Sequence, residues 1–493
     1  MLLRDELRDA WRSEDREHRL ALVSIAVIAL VLRALHLGQP IRHDEAVTWL
    51  EFARYPIADA LARYHDPNNH VLHTLLVKAS AGIFGSDPWA LRVPAFLAGI
   101  AVVPATYAGA RVLYGSRAAL FAAALVAASG ALTLYSANAR GYSMVVLAFL
   151  LLVLTGARLI AAPSLRLWAA FAVIAALGAW TIPVMIFPLG AVSLWLALTF
   201  ALAGRRTDVG RLAATLAVVA AMVALAYAPV ASRAGFGTLV RNRLATSSAW
   251  PTFLSDLATT GWQAIGSWGL GLPPLITALV VACAAWALAR HASLSRLPVG
   301  LPVAAFVWCA WLLVISHHAP FPRVWLWLLP LGAALAGAGA TDLLSRWRAS
   351  RAQFDRRAPL IAVLFALGAA ASVSLSGAVR LTNDTGIFVE APEVAAALKA
   401  ILRPGDRVVA PVPSNGPLAF HMDKLGVDPG YLTLDEAAAE RLIIVVDASS
   451  GLTLESILRS TAARDTARFA GSIVAQYERT MLVMFARKHV APR

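Results

Sequence analysis

His43-Asp44-Glu45-Ala46-Val47-Thr48-Trp49 opens, and His65-Asp66-Pro67-Asn68-Asn69-His70 closes, a polar stretch that directly follows the apolar run Leu20–Leu37. A carboxylate beside a bilayer is costly unless something there needs it. The stretch therefore reads as the active-site loop of a membrane enzyme, provided that the rest of the chain spans a membrane. Composition says that it does. Of 493 residues, 59% are hydrophobic and 15% charged, and the mean hydropathy is +0.66. Soluble domains carry roughly 45–50% apolar and about 25% charged residues. The net charge of +14 does not imply nucleic acid, because the arginines are scattered between apolar runs. Topology signals and lipid phosphate account for them better. The two cysteines, Cys283 and Cys309, lie inside apolar runs and form neither a disulfide framework nor a metal motif.

Eleven apolar runs are long enough to count as spans: 20–37, 91–113, 118–137, 143–161, 167–181, 183–202, 212–230, 272–288, 299–316, 324–340 and 360–375. Only Pro183 separates the fifth from the sixth. Residues 1–19 carry Arg4, Arg8, Arg12 and Arg16 at helical spacing and lack a cleavable leader. They read as a solvated cytoplasmic helix on the membrane surface. With that end inside, every inner loop is basic, from Arg111/Arg117 to Arg346–Arg357. The outer turns hold little besides Arg140 and Arg323, while the longer outer loop after the seventh run holds Arg241 and Arg243. This parity places the 38–90 loop, Arg140, His317, His318, Arg323 and the C-terminal tail on one outer face.

The run Val71–Phe84 has about 14 residues, short of the roughly 20 needed to cross, and contains His73 and Lys78. It reads as an interfacial helix. Before it, Glu45, Thr48 and Glu51 stand three apart on one helical face, with Trp49 and Phe52 turned to the interface. Ile57, Leu61 and Tyr64 begin a second short amphipathic helix. Residues 20–376 thus form a membrane module. Residues 377–493 read as a small soluble α/β domain without G-x-G-x-x-G or a P-loop.

These features resemble the GT-C superfamily of polytopic glycosyltransferases, most closely family 39 and its bacterial relatives. Those relatives include protein mannosyltransferases, the lipid A aminoarabinose transferase and lipopolysaccharide-core sugar transferases. The resemblance rests on Asp44-Glu45 after the first span, on the interfacial helices, and on Gly85…Arg92-x-Pro94 entering the second span. Ala139-Arg140-Gly141-Tyr142 at the third outer turn and Arg323…Pro330 late in the chain complete it. It covers roughly residues 20–345. It implies a polyprenyl-phosphate-linked sugar donor, an extracytoplasmic glycan, lipid or protein acceptor, and a place in a bacterial inner membrane.

The chemistry that the resemblance implies needs a base for the acceptor hydroxyl and cations for the departing phosphate. Asp44 is the expected base, and Glu45 orients the acceptor. Either acid also reads as a cap for the following helix. His65, Asp66, Asn69 and His70 form a second acid or acceptor site; Asp66-Pro67-Asn68 equally reads as a turn. His65, Asp66 and His70 also offer ligands to a divalent metal ion, a candidate cofactor without a recognisable motif. Arg140, Tyr142, His317, His318 and Arg323 are the expected phosphate site, arginine being suited to bidentate phosphate binding. Arg140 also reads as an arginine snorkelling to headgroups, and the tryptophans at 308, 311, 325 and 327 as interface anchors. A flippase for lipid-linked glycans, or a glycan ligase, shares much of this pattern. A flippase would favour ionisable groups in broken helices at mid-membrane.

Overall fold

The computed structural model describes residues 2–235, 237, 249–346, 351–432, 439–460 and 469–487. Arg241, Arg243 and Arg348 lie outside the described residues. The chain folds into two compact units. A membrane unit comprises Met1–Gly38 and Tyr55–Arg380, and an α/β unit comprises Gln39–Arg54 and Leu381–Arg493. The sequence reading kept 38–90 together as one loop of the membrane module. In the structure its first part, with Asp44 and Glu45, packs with the C-terminal residues instead.

In the membrane unit every one of the eleven apolar runs is helical. After α1 (Leu2–Ser13) come α2 (Arg16–Leu35), α6 (Pro88–Tyr114), α7 (Ser116–Ala127), α8 (Gly130–Ser136), α9 (Tyr142–Ala161) and α10 (Leu165–Thr181). Then follow α11 (Ile186–Leu202), α12 (Arg206–Ala234), and the helices Pro274–Ala289, Leu301–Ser316, Leu328–Ser345 and Arg351–Leu375. Among the described residues seven helices are long and apolar enough to cross, and α7 with α8, bent by 61°, brings the number to eight if the pair is one span. Eleven crossings require Leu165–Thr181, Pro274–Ala289 and Leu301–Ser316 to span as well, although each has only 16–17 residues. The protein is a multi-pass membrane protein on either count. Pro183 opens a single 3₁₀ turn between α10 and α11. Trp250–Trp268 is a helix that the sequence reading left as loop.

Small residues let these helices close on one another. A Cβ on Gly337 would lie 2.3 Å from the Ala118 carbonyl oxygen, and one on Gly339 would lie 1.9 Å from that of Cys283. The N-terminal helix α1 is not simply solvated. Its acids hold the ends of two spans: Arg158 meets Glu6 at 3.0 Å and Asp5 at 3.5 Å, and Arg111 meets Glu6 at 3.8 Å.

The bent span has a specific cause. Ala128 and Ser129 interrupt the helix, and the last carbonyls of α7 lose their intrahelical partners. Arg33 of α2, fully buried, reaches them: Nη1 donates to Ala127 O at 2.8 Å and Nη2 to Val126 O at 3.1 Å. Its Nε donates to Ser136 Oγ at 3.2 Å, at the far end of α8. One guanidinium thus spans the break and tethers the outgoing segment.

Between the spans, α4 (Ile57–Ala62) and α5 (Val71–Phe84) are the expected short helices. Tyr64 falls just past α4, buried edge-on against Tyr227 of α12 with ring centroids 6.3 Å apart. Asp59 pairs with Arg233, and Lys78 Nζ donates to Tyr55 O at 2.6 Å.

The α/β unit contains α3 (His43–Val47), a π-wound turn Thr48–Ala53, and a four-stranded sheet of order β1-β2-β4-β3. The strands are β1 (Arg407–Val409), β2 (Arg441–Asp447), β3 (Phe469–Gln476) and β4 (Thr480–Arg487). β1 and β2 are parallel, and β2–β4 and β4–β3 are antiparallel. Leu442 and Ile444 face one core, Ile443 and Val445 the other. β2 is therefore covered on both sides, which is why it reads as a continuous apolar run.

Replacing Arg33 by methionine keeps the length but takes the donor from Ala127 O in hydrocarbon, while Val126 O keeps the Ser129 N–H at 3.4 Å. An orphaned group costs about 1–3 kcal/mol. Arg33→Met is therefore expected to lose roughly 1–3 kcal/mol of stability, read as a lowered thermal midpoint in detergent. An unchanged midpoint would remove Arg33 as the clamp of the bent span.

Candidate active site

In the membrane unit three separate segments bring expected site residues together. The first is the turn after α4. Asp66 Oδ1 accepts from Asn68 N at 2.7 Å, and Asp66 O accepts from Asn69 N at 3.2 Å. The turn reading of Asp66-Pro67-Asn68 is thus the structural one. Asn69 is buried and fully used: Nδ2 donates to Ala60 O at 3.1 Å and Arg63 O at 2.7 Å, and Oδ1 accepts from Thr74 Oγ1 at 2.8 Å. It shapes the loop and has no atom left for an acceptor. His65 is exposed.

The second segment is the turn from α8 to α9. Gly141 N donates to His70 Nδ1 at 2.9 Å, and Arg140 Nη1 donates to Asn68 O at 3.0 Å. A side chain at 141 would meet Thr181 at 2.4 Å, so only glycine permits this approach. The third segment is the 3₁₀ turn Pro322–Trp325, whose Arg323 Nε donates to the Tyr142 hydroxyl at 3.1 Å. Tyr142 sits in the middle. Its ring meets His70 edge-on at 5.3 Å and Tyr135 at 5.0 Å, and Arg140 lies 5.9 Å from its centroid. Arg140 and Arg323, 183 positions apart in the chain, therefore gather around one tyrosine.

The electrostatics follow from burial and from those two cations. Burial pushes His70 well below the usual histidine value, helped by Arg140, His73 and Arg323. His73, on the interfacial α5, is pushed down to about 3 by burial and Arg140. Both its ring nitrogens lack a hydrogen-bond partner among the described residues. The sequence reading did not single out His73, although its spacing of three from His70 along a helix is the signal that points to it.

The other expected residues fall elsewhere. His317 takes a left-handed conformation with φ 48° at the end of Leu301–Ser316, and its ring packs on Trp250 at 4.1 Å and Phe253 at 5.9 Å. It serves packing in this arrangement. His318 follows it in the same turn. Among the described residues no three His, Cys, Asp or Glu side chains gather to hold a metal ion. With His65 at the surface, Asp66 Oδ1 engaged in its turn and His70 Nδ1 engaged with Gly141, these residues do not fit a divalent cation.

The α/β unit holds the expected acids. Arg42 is the N-cap of α3, and Glu45 Oε2 accepts its backbone N–H at 2.9 Å. Glu45 is therefore a capping acid. The π winding of Thr48–Ala53 separates the expected Glu45/Thr48/Glu51 face: Thr48 and Phe52 are buried, while Glu51 is exposed.

Residues 68–232 match the family model described as dolichyl-phosphate-mannose-protein mannosyltransferase. That span includes His70, Arg140 and Tyr142 but neither Asp44 nor Arg323. The chain superposes on the crystal structure of ArnT from Cupriavidus metallidurans bound to undecaprenyl phosphate, with TM-score 0.60 and 14% identity. The match covers 94% of this chain and 97% of that one. The fold is GT-C. The apo form of ArnT matches with the same TM-score and coverage at 13% identity. The Archaeoglobus fulgidus oligosaccharyltransferase, solved in complex with Zn and sulfate, matches with TM-score 0.56 and 13% identity, over 94% of this chain and 72% of that one. No curated protein matches in sequence. The family model and the GT-C fold together support a membrane glycosyltransferase that uses a lipid-linked donor.

The buried histidines make stability depend on pH. Unfolded, each takes up a proton near the ordinary value of 6.5, whereas folded it does so only at lower pH. The unfolded chain thus binds more protons below 6.5. Stability is full above 6.5 and is lost as the pH falls from there through the depressed folded values. Each group contributes a slope of up to about 1.4 kcal/mol per pH unit. His70→Gln, which can still accept from Gly141, is expected to flatten the fall in thermal midpoint between pH 6.5 and about 5. Parallel profiles for variant and parent would count against a neutral buried His70.

Proposed function

We propose that this chain transfers a sugar from a polyprenyl-phosphate donor to a hydroxyl of an extracytoplasmic glycan, lipid or protein, with inversion at the anomeric carbon. The observation that carries the proposal is the convergence of Arg140 and Arg323 around Tyr142. Two guanidiniums beside a phenol hydroxyl form a site for a lipid phosphate. His70 supports it by holding the Gly141 backbone, and so the Arg140 turn, in place.

The reaction balances with these residues. The acceptor oxygen attacks the anomeric carbon, and its proton passes to the Asp44 carboxylate. The bond from the anomeric carbon to the phosphate oxygen breaks, and its electron pair leaves on the lipid phosphate. Arg140 and Arg323 stabilise that charge as it develops. Asp44 stands on α3 one position before Glu45, which caps that helix. A flippase would use the broken helix α7–α8 as its ion or substrate gate, but Arg33 already occupies the carbonyls of that break.

Turnover of a labelled polyprenyl-phosphate sugar in proteoliposomes tests the proposal. Asp44→Asn is expected to reduce kcat by roughly 10²–10⁴-fold while leaving thermal stability and donor binding in place. Arg323→Ala removes a charge-assisted bond worth about 1.5–3 kcal/mol, which corresponds to a loss of about 10–150-fold in donor kcat/KM. Transport of the donor without turnover would favour the flippase, and full activity of Asp44→Asn would remove it as the base.

Sidedness is tested separately. A membrane-impermeant thiol reagent added outside is expected to label His65→Cys but not Arg206→Cys, both exposed positions. The reverse pattern would place the site on the inner face.

A further inference from the structure

We infer that the C-terminal α/β domain is the seat of the catalytic helix, and that Arg42, Gly386 and Gly416 are positioning residues for Asp44. The inference rests on Asp44 being the base, as proposed above. Everything it uses lies within one compact unit, Gln39–Arg54 with Leu381–Arg493.

A helix leaves its first backbone N–H groups without partners. In α3 these are the N–H groups of His43 and Asp44. They donate to Gly386 O at 3.0 Å and Thr385 O at 3.3 Å, about 340 residues further along the chain. Arg42 and Ile387 form an antiparallel bridge beside them. Arg42 Nη1 donates to both Thr382 O and Asp384 O at 2.8 Å. The 382–387 segment is bent to present these carbonyls: Thr385 and Gly386 have φ of 65° and 71°. A left-handed conformation is unfavourable for a β-branched threonine, so the surrounding contacts impose it.

The other side of α3 lies against the helix Asn415–Lys424 and the loop before it. His43 Nδ1 donates to Pro413 O at 3.1 Å. A Cβ on Gly416 would stand 2.7 Å from His43 Nδ1 and 3.2 Å from His43 O, and one on Gly386 would stand 2.8 Å from His43 Cβ. The loop that holds Pro413 follows β1, and Ser414 Oγ in it donates to Asp447 Oδ2 at 2.8 Å, at the end of β2. Both strands of the parallel pair thus end at the loop that contacts His43. The carboxyl ends of parallel strands are where α/β sheets present their functional loops. Further along, Arg54 pairs with Asp423 at 3.3 Å. Asp44 follows His43 directly, so a displacement of this seat moves its carboxylate while leaving Arg140 and Arg323, which belong to the membrane unit, untouched.

The test uses the full-length enzyme in proteoliposomes with a labelled polyprenyl-phosphate sugar. Gly416→Ala pushes on His43, and Arg42→Lys keeps the charge but loses the fork between two carbonyls. Each is expected to lower kcat by about 10–100-fold, the scale of an ångström-sized misplacement, with donor KM unchanged. Adding His43→Ala to Gly416→Ala should recover part of the loss. In an Asp44→Asn background, Gly416→Ala should cost nothing further, because it acts through the same carboxylate. If Gly416→Ala does not fold, Arg42→Lys decides alone. Normal kcat in the folded variants, an equal rise in donor KM, or full additivity with Asp44→Asn would overturn the inference. A crippled Asp44→Asn enzyme beside normal Gly416→Ala and Arg42→Lys enzymes would overturn this inference alone. A normal Asp44→Asn enzyme would overturn the base assignment, and this inference with it.

Discussion

A broken helix in hydrocarbon must find partners for the carbonyls it exposes, and Arg33 supplies them. No water is at hand in the bilayer core to do so. The guanidinium holds the carbonyls of Val126 and Ala127 and the hydroxyl of Ser136, so it fixes both sides of the 61° bend. The short outgoing helix then delivers the chain to Arg140 four residues after its end. A fully buried arginine is tolerable here because all three of its nitrogens are bonded.

The cluster around Tyr142 depends on that delivery. Gly141 can donate to His70 only if the turn comes close to the loop after α4, and Arg140 can bond Asn68 O only from the same position. The loop in turn keeps its shape through Asn69, which ties Ala60, Arg63 and Thr74 together. Polar groups that would be costly near a bilayer are thus satisfied by one another. This leaves the cationic face of Arg140 and Arg323 as the chemically assertive feature of the unit.

The α3 segment is organised on different physics. This short helix, only five residues long, has little stability of its own. It is held by distant carbonyls at its N-terminus and by close backbone packing against the first turn of Asn415–Lys424. The loops of the α/β unit therefore define where the Asp44-Glu45 pair stands within that unit.

Much of this was legible in the sequence. Apolar run length located the membrane helices, and residues 377–493 could be read as an α/β region, because both depend on local patterning. The Ala-Arg-Gly-Tyr turn and Arg323 could be named because cations stand out among apolar spans. Other features depend on contacts between segments far apart in the chain, which no local pattern encodes. The pairing of Arg33 with the bend, the role of Glu45 as cap, and the packing of His317 on Trp250 and Phe253 are of this kind. So is the grouping of residues 39–54 with the C-terminal unit. The sequence by itself determined which segments are apolar and which residues carry charge. Tertiary structure alone decided which carbonyl each charge meets, since a hydrogen bond is set by distance in space and not by separation along the chain.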